Sequence, residues 1–286
     1  MVQPCLMLML LGVFWEIELK DLKKGFRDIK FAGTSLFLNF VWIPFLGYIL
    51  AKLLLPGQLD LRIGFIMLLV TPCTDWYLIF TAMAKGNVPL SASILPLNLI
   101  IQLVLLPVYL WLLGGLFGGV EPIKIITAAI TVLIIPLAGA RILVYLSRSQ
   151  PKLKSVLKWS TARLRFWYLC LAVTFMFASE GRHITERPDV LIRLLAPVLL
   201  FFCLNFILVR IVGDLLKFSY QDSVSLSLTT LARNSPVALT VAASAFPDRP
   251  LVALALIIGP LIELPVLGCL AKILLWLGKK RKIEGF

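Results

Sequence analysis

The stretch that most constrains this chain is Thr229 to Ala242, TTLARNSPVALTVA, an apolar helical segment interrupted by Arg233, Asn234, Ser235 and Pro236. Pro236 has no N–H to donate and disfavours the helical conformation at Ser235. A charge at the centre of a membrane helix costs about 2.5–3.5 kcal/mol on insertion scales. Backbone left unpaired cannot face lipid, so the interruption has to line a cavity or lie packed inside protein. A second stretch, LLVTPCTDWYL from Leu68 to Leu78, poses the same problem, with Pro72 as breaker and Asp75 as the charge.

Composition turns this local puzzle into a class. Of 286 residues, 60% are hydrophobic and 15% charged, and mean hydropathy is +0.96. A soluble domain is nearer 45–50% apolar and about 25% charged. Apolar spans fall near 3–16, 31–55, 61–84, 88–116, 122–146, 159–180, 188–213, 220–246 and 250–278, which predicts an all-α polytopic membrane protein of about nine transmembrane helices. The first span is short, yet it lacks the basic start and small-residue cleavage site of a signal peptide.

The net charge of +13 does not imply nucleic acid, because the basic residues fall in short loops between the spans. Cys5, Cys73, Cys170, Cys203 and Cys269 are scattered singly in apolar segments, and the one histidine, His183, lies in a loop. Neither a zinc site nor a disulfide framework is expected. No catalytic motif is present, so an enzyme is not expected either. The partners implied are a small-molecule solute and the lipid bilayer, with no cofactor.

Orientation follows from Lys and Arg. One set of loops, including Lys20 to Lys30, Lys85, Arg148 to Arg165, Arg210, Lys217 and Lys279 to Lys282, holds 18 of the 28; the other, with Lys52, Arg62, Lys124, Arg182, Arg187, Arg193 and Arg249, holds 7. The richer set should be cytoplasmic, which puts the C-terminus inside and, with nine spans, the N-terminus outside. Pro151 to Trp159, PKLKSVLKW, reads as an amphipathic linker on the cytoplasmic surface.

An internal repeat is also visible. KGNVPLSASILPLNLIIQLVLLP from Lys85 shadows FPDRPLVALALIIGPLIELPVLG from Phe246. At one constant offset Pro89 meets Pro250, Gln102 meets Glu263, Cys73 meets Asn234 and Asp75 meets Pro236. Upstream, LNF at Leu38 to Phe40 recurs at Leu204 to Phe206. The charge count sets the two copies in opposite senses, with residues 1–121 as a four-helix half and 122–286 as a five-helix half. Paired interrupted helices in inverted halves are the pattern of a secondary transporter's binding site.

TPCTDWYLIFTAMAKGN (Thr71 to Asn87) and ARNSPVALTVAASAFPDRPLVALALIIGPLIELPVL (Ala232 to Leu267) resemble the bile acid/sodium symporter superfamily. Within it they are most similar to the arsenite efflux permease branch. The resemblance spans essentially the whole chain; its most specific parts are the Pro-Cys-Thr element and the GPLIELPVL run. It implies ten helices in inverted five-helix repeats, a panel domain and a core domain, and a fourth and a ninth helix that break and cross. Here those are the third and eighth spans, since the family's first helix is absent. The function implied is arsenite or arsenical efflux by alternating access at the plasma membrane; the alternative is a sodium-coupled organic-anion symporter.

The candidate residues each carry two readings. Cys73 sits where the arsenite permeases keep a functional cysteine, and thiolate is the soft ligand a thiophilic As(III) centre prefers; a free cysteine in an apolar segment also simply packs. With Thr74 it forms the Pro-Cys-Thr element. Asp75 is a proton carrier or cation ligand, or else an ion-pair partner for Arg233. Arg233, Asn234 and Ser235 supply donors in the unwound segment, where half-helix N-termini favour an anion or a polar neutral solute. The arsenite permeases carry Gly-Asn-Asn-Phe-Glu here; Asn234 keeps one asparagine and Pro236 stands at the glutamate. The symporters' sodium-binding Glu and Gln fall on Thr229 and Arg233, and an arginine there does not suit a cation ligand. Ser91 retains one hydroxyl of that sodium site, though membrane Ser and Thr commonly bond their own helix. Glu263, between Pro260 and Pro265, is a coupling acid or a cap on a kinked helix. Asn39 and Asn205 line the cavity or bond across helices.

Overall fold

A computed structural model describes residues 7–8, 11–12, 14, 28–73, 76–117, 122–146, 171, 174 and 188–283. Thr74, Asp75, His183, the linker at 151–159 and most of the spans expected at 3–16 and 159–180 lie outside the described residues.

The described residues form nine helices: α1 (Ile29–Leu54), α2 (Leu59–Leu69), α3 (Trp76–Met83), α4 (Val88–Phe117), α5 (Pro122–Leu146), α6 (Pro188–Leu215), α7 (Tyr220–Leu231), α8 (Ser235–Ala245) and α9 (Pro250–Ile283). Their only β pairing is a single bridge. Segments Ile29–Leu54, Val88–Tyr109, Pro188–Leu215 and Pro250–Lys279 are long and apolar enough to cross a membrane. Outward-facing apolar stripes fit that solvent. On α1, Phe37, Val41 and Phe45 are exposed at four-residue spacing while Asn39, Ile43 and Leu46 are buried. On α6, Leu200, Leu204, Ile207 and Ile211 are exposed, and Phe201, Asn205 and Val209 buried.

The two interrupted spans resolve as helix pairs. α2 and α3 are separated by a break around Pro72, and α7 and α8 by Ala232 to Asn234. Pro236 sits in the first turn of α8, where its missing N–H costs nothing. The pairs run antiparallel. Asn87, after α3, donates its N–H to Gln221 O at the start of α7 (3.1 Å) and its side-chain amide to Asp222 Oδ1 (2.9 Å). At the other end Arg249, after α8, bonds Asp60 in the first turn of α2 (3.2 Å). The two breaks therefore meet midway.

Local chemistry explains the surrounding helices. Asp28 caps α1 by accepting from Phe31 N. Residues Leu38–Trp42 form a turn of π-helix. Pro44 cannot supply the N–H that Phe40 O would take in a regular helix; Tyr109 on α4 donates its hydroxyl to that carbonyl instead. Ser219 caps α7 through Asp222 N (3.1 Å). Helix packing inside a bilayer depends on close contact rather than on expulsion of water. Accordingly, a Cβ added to Gly64 on α2 would lie 2.6 Å from Ala255 Cβ and 2.8 Å from Val252 O on α9.

Candidate functional site

The breaks cross as a two-residue antiparallel bridge between Pro72 and Arg233. Cys73 N donates to Ala232 O (3.0 Å), and Asn234 N donates to Thr71 O (2.7 Å). Thr71, Pro72 and Cys73 stand to Ala232, Arg233 and Asn234 at the constant offset of the internal repeat, so the two bonds are each other's repeat image. This reciprocal pairing satisfies backbone that a broken helix would leave unpaired in lipid.

Each outgoing half-helix is then capped from its own break. Cys73 Sγ accepts from Trp76 N (3.3 Å) at the start of α3. Asn234 Oδ1 accepts from Val237 N (3.2 Å) at the start of α8. Cys73 is 3% exposed, and its thiol lies beside the N-terminus of α3, where the helix dipole favours negative charge. Ser235, first residue of α8, is fully buried, and its hydroxyl has no hydrogen-bond partner. A Cβ at Gly259 on α9 would come within 3.1 Å of that hydroxyl and 2.7 Å of Leu68 Cδ1, so this glycine leaves room against the crossing.

Arg233 is buried at 2% exposure, and its donors turn to protein. Nη1 donates to Leu69 O (2.8 Å), Nη2 to Asn39 Oδ1 (3.0 Å) and to Thr230 O, and Nε to Leu231 O (3.3 Å). The Phe201 ring lies 5.7 Å from Cζ, within cation–π range. The Arg233 backbone N–H donates to Glu263 Oε1 (2.8 Å). Glu263, 3% exposed, thus reaches across from α9 to the break and meets the main chain of Arg233, while the guanidinium turns to the carbonyls and Asn39.

The crossing brings together Cys73, Arg233, Asn234, Ser235 and Glu263. Ser91 is tied to α3 instead: its carbonyl accepts from the Tyr77 hydroxyl (2.9 Å), and its own hydroxyl is buried without a partner. Thr229 bonds back to Ser225 O and Leu226 O, as expected for a hydroxyl inside a membrane helix. Asn39 and Asn205, the paired LNF asparagines, bond across helices to Thr229 O (3.4 Å) and Thr230 O (2.9 Å). Asn39 also accepts from Arg233 Nη2 out of the π-turn of α1; in the sequence only the recurring LNF element marks that position. Asn98 joins the buried polar residues without a sequence motif to mark it. With Ser91 and Gln102 it forms one buried stripe along α4, and the side-chain polar atoms of all three lack partners.

Comparison with known proteins places the chain in a family. Residues 3–187 match the model of the Sodium Bile acid symporter family. The chain is 28% identical to the arsenical-resistance protein Acr3 of Corynebacterium glutamicum, over 96% of this chain and 78% of that protein. It is 24% identical to an uncharacterized transporter of Synechocystis sp., over 94% of this chain and 76% of the relative. An uncharacterized protein of Bacillus subtilis, YbaS, is 25% identical over 80% of this chain and 74% of its own length. This chain, helical over nearly all its described residues, with two interrupted helices paired at their breaks and a family model matching more than half its length, belongs to the sodium/bile acid symporter family of membrane transporters.

Proposed function

We propose that this protein is an arsenite efflux permease of the plasma membrane, working by alternating access between two inverted halves. The observation that carries the reading is the Cys73 thiol, buried at the crossing of the broken helices and beside the α3 N-terminus. Sulfur is the ligand that As(III) favours over oxygen. One thiol displaces one hydroxide: an As–S bond forms, an As–O bond breaks, and water leaves with the thiol proton. A single sulfur contact reverses readily, as a carrier requires. The unpartnered Ser235 hydroxyl and the Asn234 amide supply hydrogen bonds to the remaining arsenic hydroxyls. The 28% identity to an arsenical-resistance protein over nearly the whole chain favours the same solute.

Thr74 and Asp75, beside Cys73 in sequence, extend this set: Thr74 as a further hydroxyl and Asp75 as a proton carrier. Glu263 anchors the break and is the second coupling candidate, and Ser91 lies on the polar stripe of α4. Arg233 holds the crossing together rather than meeting the solute. The reciprocal bonds between repeat-related residues support an inverted repeat with halves at 1–121 and 122–286, and the charge count supports a cytoplasmic C-terminus.

The test is arsenite accumulation in sensitive cells expressing the chain, beside Cys73→Ser. Lower accumulation with the wild type, lost in the variant, is expected. Accumulation equal to empty vector, with the protein present in the membrane, would sink the arsenite reading.

A further inference from the structure

Leu69 ends α2 and Leu231 ends α7, so both incoming half-helices point their C-termini at the crossing. The last carbonyls of a helix have no intrahelical partner and together carry roughly half a negative charge. Leu69 O, Thr230 O and Leu231 O are such carbonyls, and the Asn39 side-chain oxygen joins them from the π-turn of α1. Four oxygens from three helices thus converge on one buried point. Unwound carbonyls and half-helix C-terminal ends are what membrane carriers use to coordinate alkali cations. Here the point is filled by the chain itself: every one of these oxygens accepts from the Arg233 guanidinium.

The family description names sodium, and these residues do not fit a sodium ion. Its charge and its oxygen ligands are already taken by the guanidinium, and Thr229 spends its hydroxyl on its own helix. We propose that Arg233 is a resident cation, held by the C-terminal ends of α2 and α7, and that it replaces a mobile alkali cation at the crossing. The carrier then needs no sodium at this point, and loss of the guanidinium exposes a latent monovalent-cation site. The arginine is always charged and its planar fork serves several acceptors at once, so lysine is a poor substitute.

The experiment is thermal unfolding of the purified full chain in choline, sodium or potassium chloride at one ionic strength. Wild type is expected to melt at the same temperature in all three. Arg233→Gln should melt lower in choline and recover in an alkali salt, with a saturable rise of about 5 °C. Low millimolar guanidinium should raise the melting temperature of Arg233→Ala and leave wild type unchanged. Sodium-dependent melting of wild type would overturn the proposal, as would a folded Arg233→Gln indifferent to every cation. Asn39→Asp supplies the check should the arginine variants fail to fold. Its carboxylate meets the resident guanidinium and should leave melting independent of sodium, whereas a new sodium dependence contradicts the assignment. None of these readouts requires arsenite.

Discussion

Cys73 and Asn234 perform the same structural task on opposite sides of one crossing. The Cys73 sulfur accepts from Trp76 N–H at 3.3 Å, and the Asn234 side-chain oxygen accepts from Val237 N–H at 3.2 Å. Two residues of unlike chemistry, at the constant sequence offset, thus cap two half-helices, and the thiol has a structural role besides any contact with solute.

That double role can be divided by substitution. Cys73→Asn copies the cap already used at position 234 and should melt within about 0.5 kcal/mol of wild type while losing arsenite flux. Cys73→Ala removes both cap and thiol and should cost about 0.5–1 kcal/mol. Thermal unfolding beside a flux assay reads both; Cys73→Asn that transports like wild type would make the cysteine a cap alone.

Glu263 and Gln102 stand at the same sequence offset as Asn234 and Cys73 and have opposite fates. Glu263 receives the Arg233 N–H, whereas the residue matching Arg233 at that offset is Pro72, which has no N–H. Gln102 is accordingly left buried without a partner. Removing an acceptor from a buried donor costs about 1–3 kcal/mol, while replacing an unpartnered polar group with an apolar one is near neutral or stabilising. Glu263→Met should therefore lower the melting temperature and Gln102→Met should not. Equal losses would contradict this account of the two sites.

Glu263→Gln separates anchoring from coupling. The amide oxygen can still accept from Arg233 N–H, so stability should stay within about 1 kcal/mol. If Glu263 moves the coupling proton, flux driven by a pH gradient should fall by about a hundredfold or more, the scale of losing a positioned acid–base group. Undiminished pH-driven flux would leave proton coupling to Asp75.

Gly259 reports on the room at the crossing. A methyl there would approach Leu68 Cδ1 at 2.7 Å and Ser235 Oγ at 3.1 Å. Gly259→Ala should destabilise by about 1–3 kcal/mol through overpacking, and it should impair flux more than Gly33→Ala on α1, where nothing lies within 4 Å. A melting temperature equal to wild type would show that the crossing yields.

Both breaks were legible because proline and a formal charge inside an apolar run leave few physical options. The constant offset between Cys73 and Asn234 was legible too, and it coincides with the reciprocal bonds of the crossing. The destination of the Arg233 side chain was not. Its acceptors are main-chain carbonyls at Leu69, Thr230 and Leu231, groups every residue carries, so no sequence pattern marks them. Glu263 read locally as a coupling acid or a cap on a proline-kinked helix, whereas its carboxylate reaches the break between α7 and α8, a contact set by tertiary packing. The polar stripe of Ser91, Asn98 and Gln102 was hidden because α4 reads as apolar on every side.

The central claim is tested most directly by arsenite flux into sodium-free proteoliposomes, with purified wild type beside Cys73→Asn of matched melting temperature. The account predicts saturable wild-type flux above protein-free liposomes, unchanged when sodium is added and lost in the variant. Flux that requires sodium, survives in Cys73→Asn or never exceeds that of protein-free liposomes would contradict it.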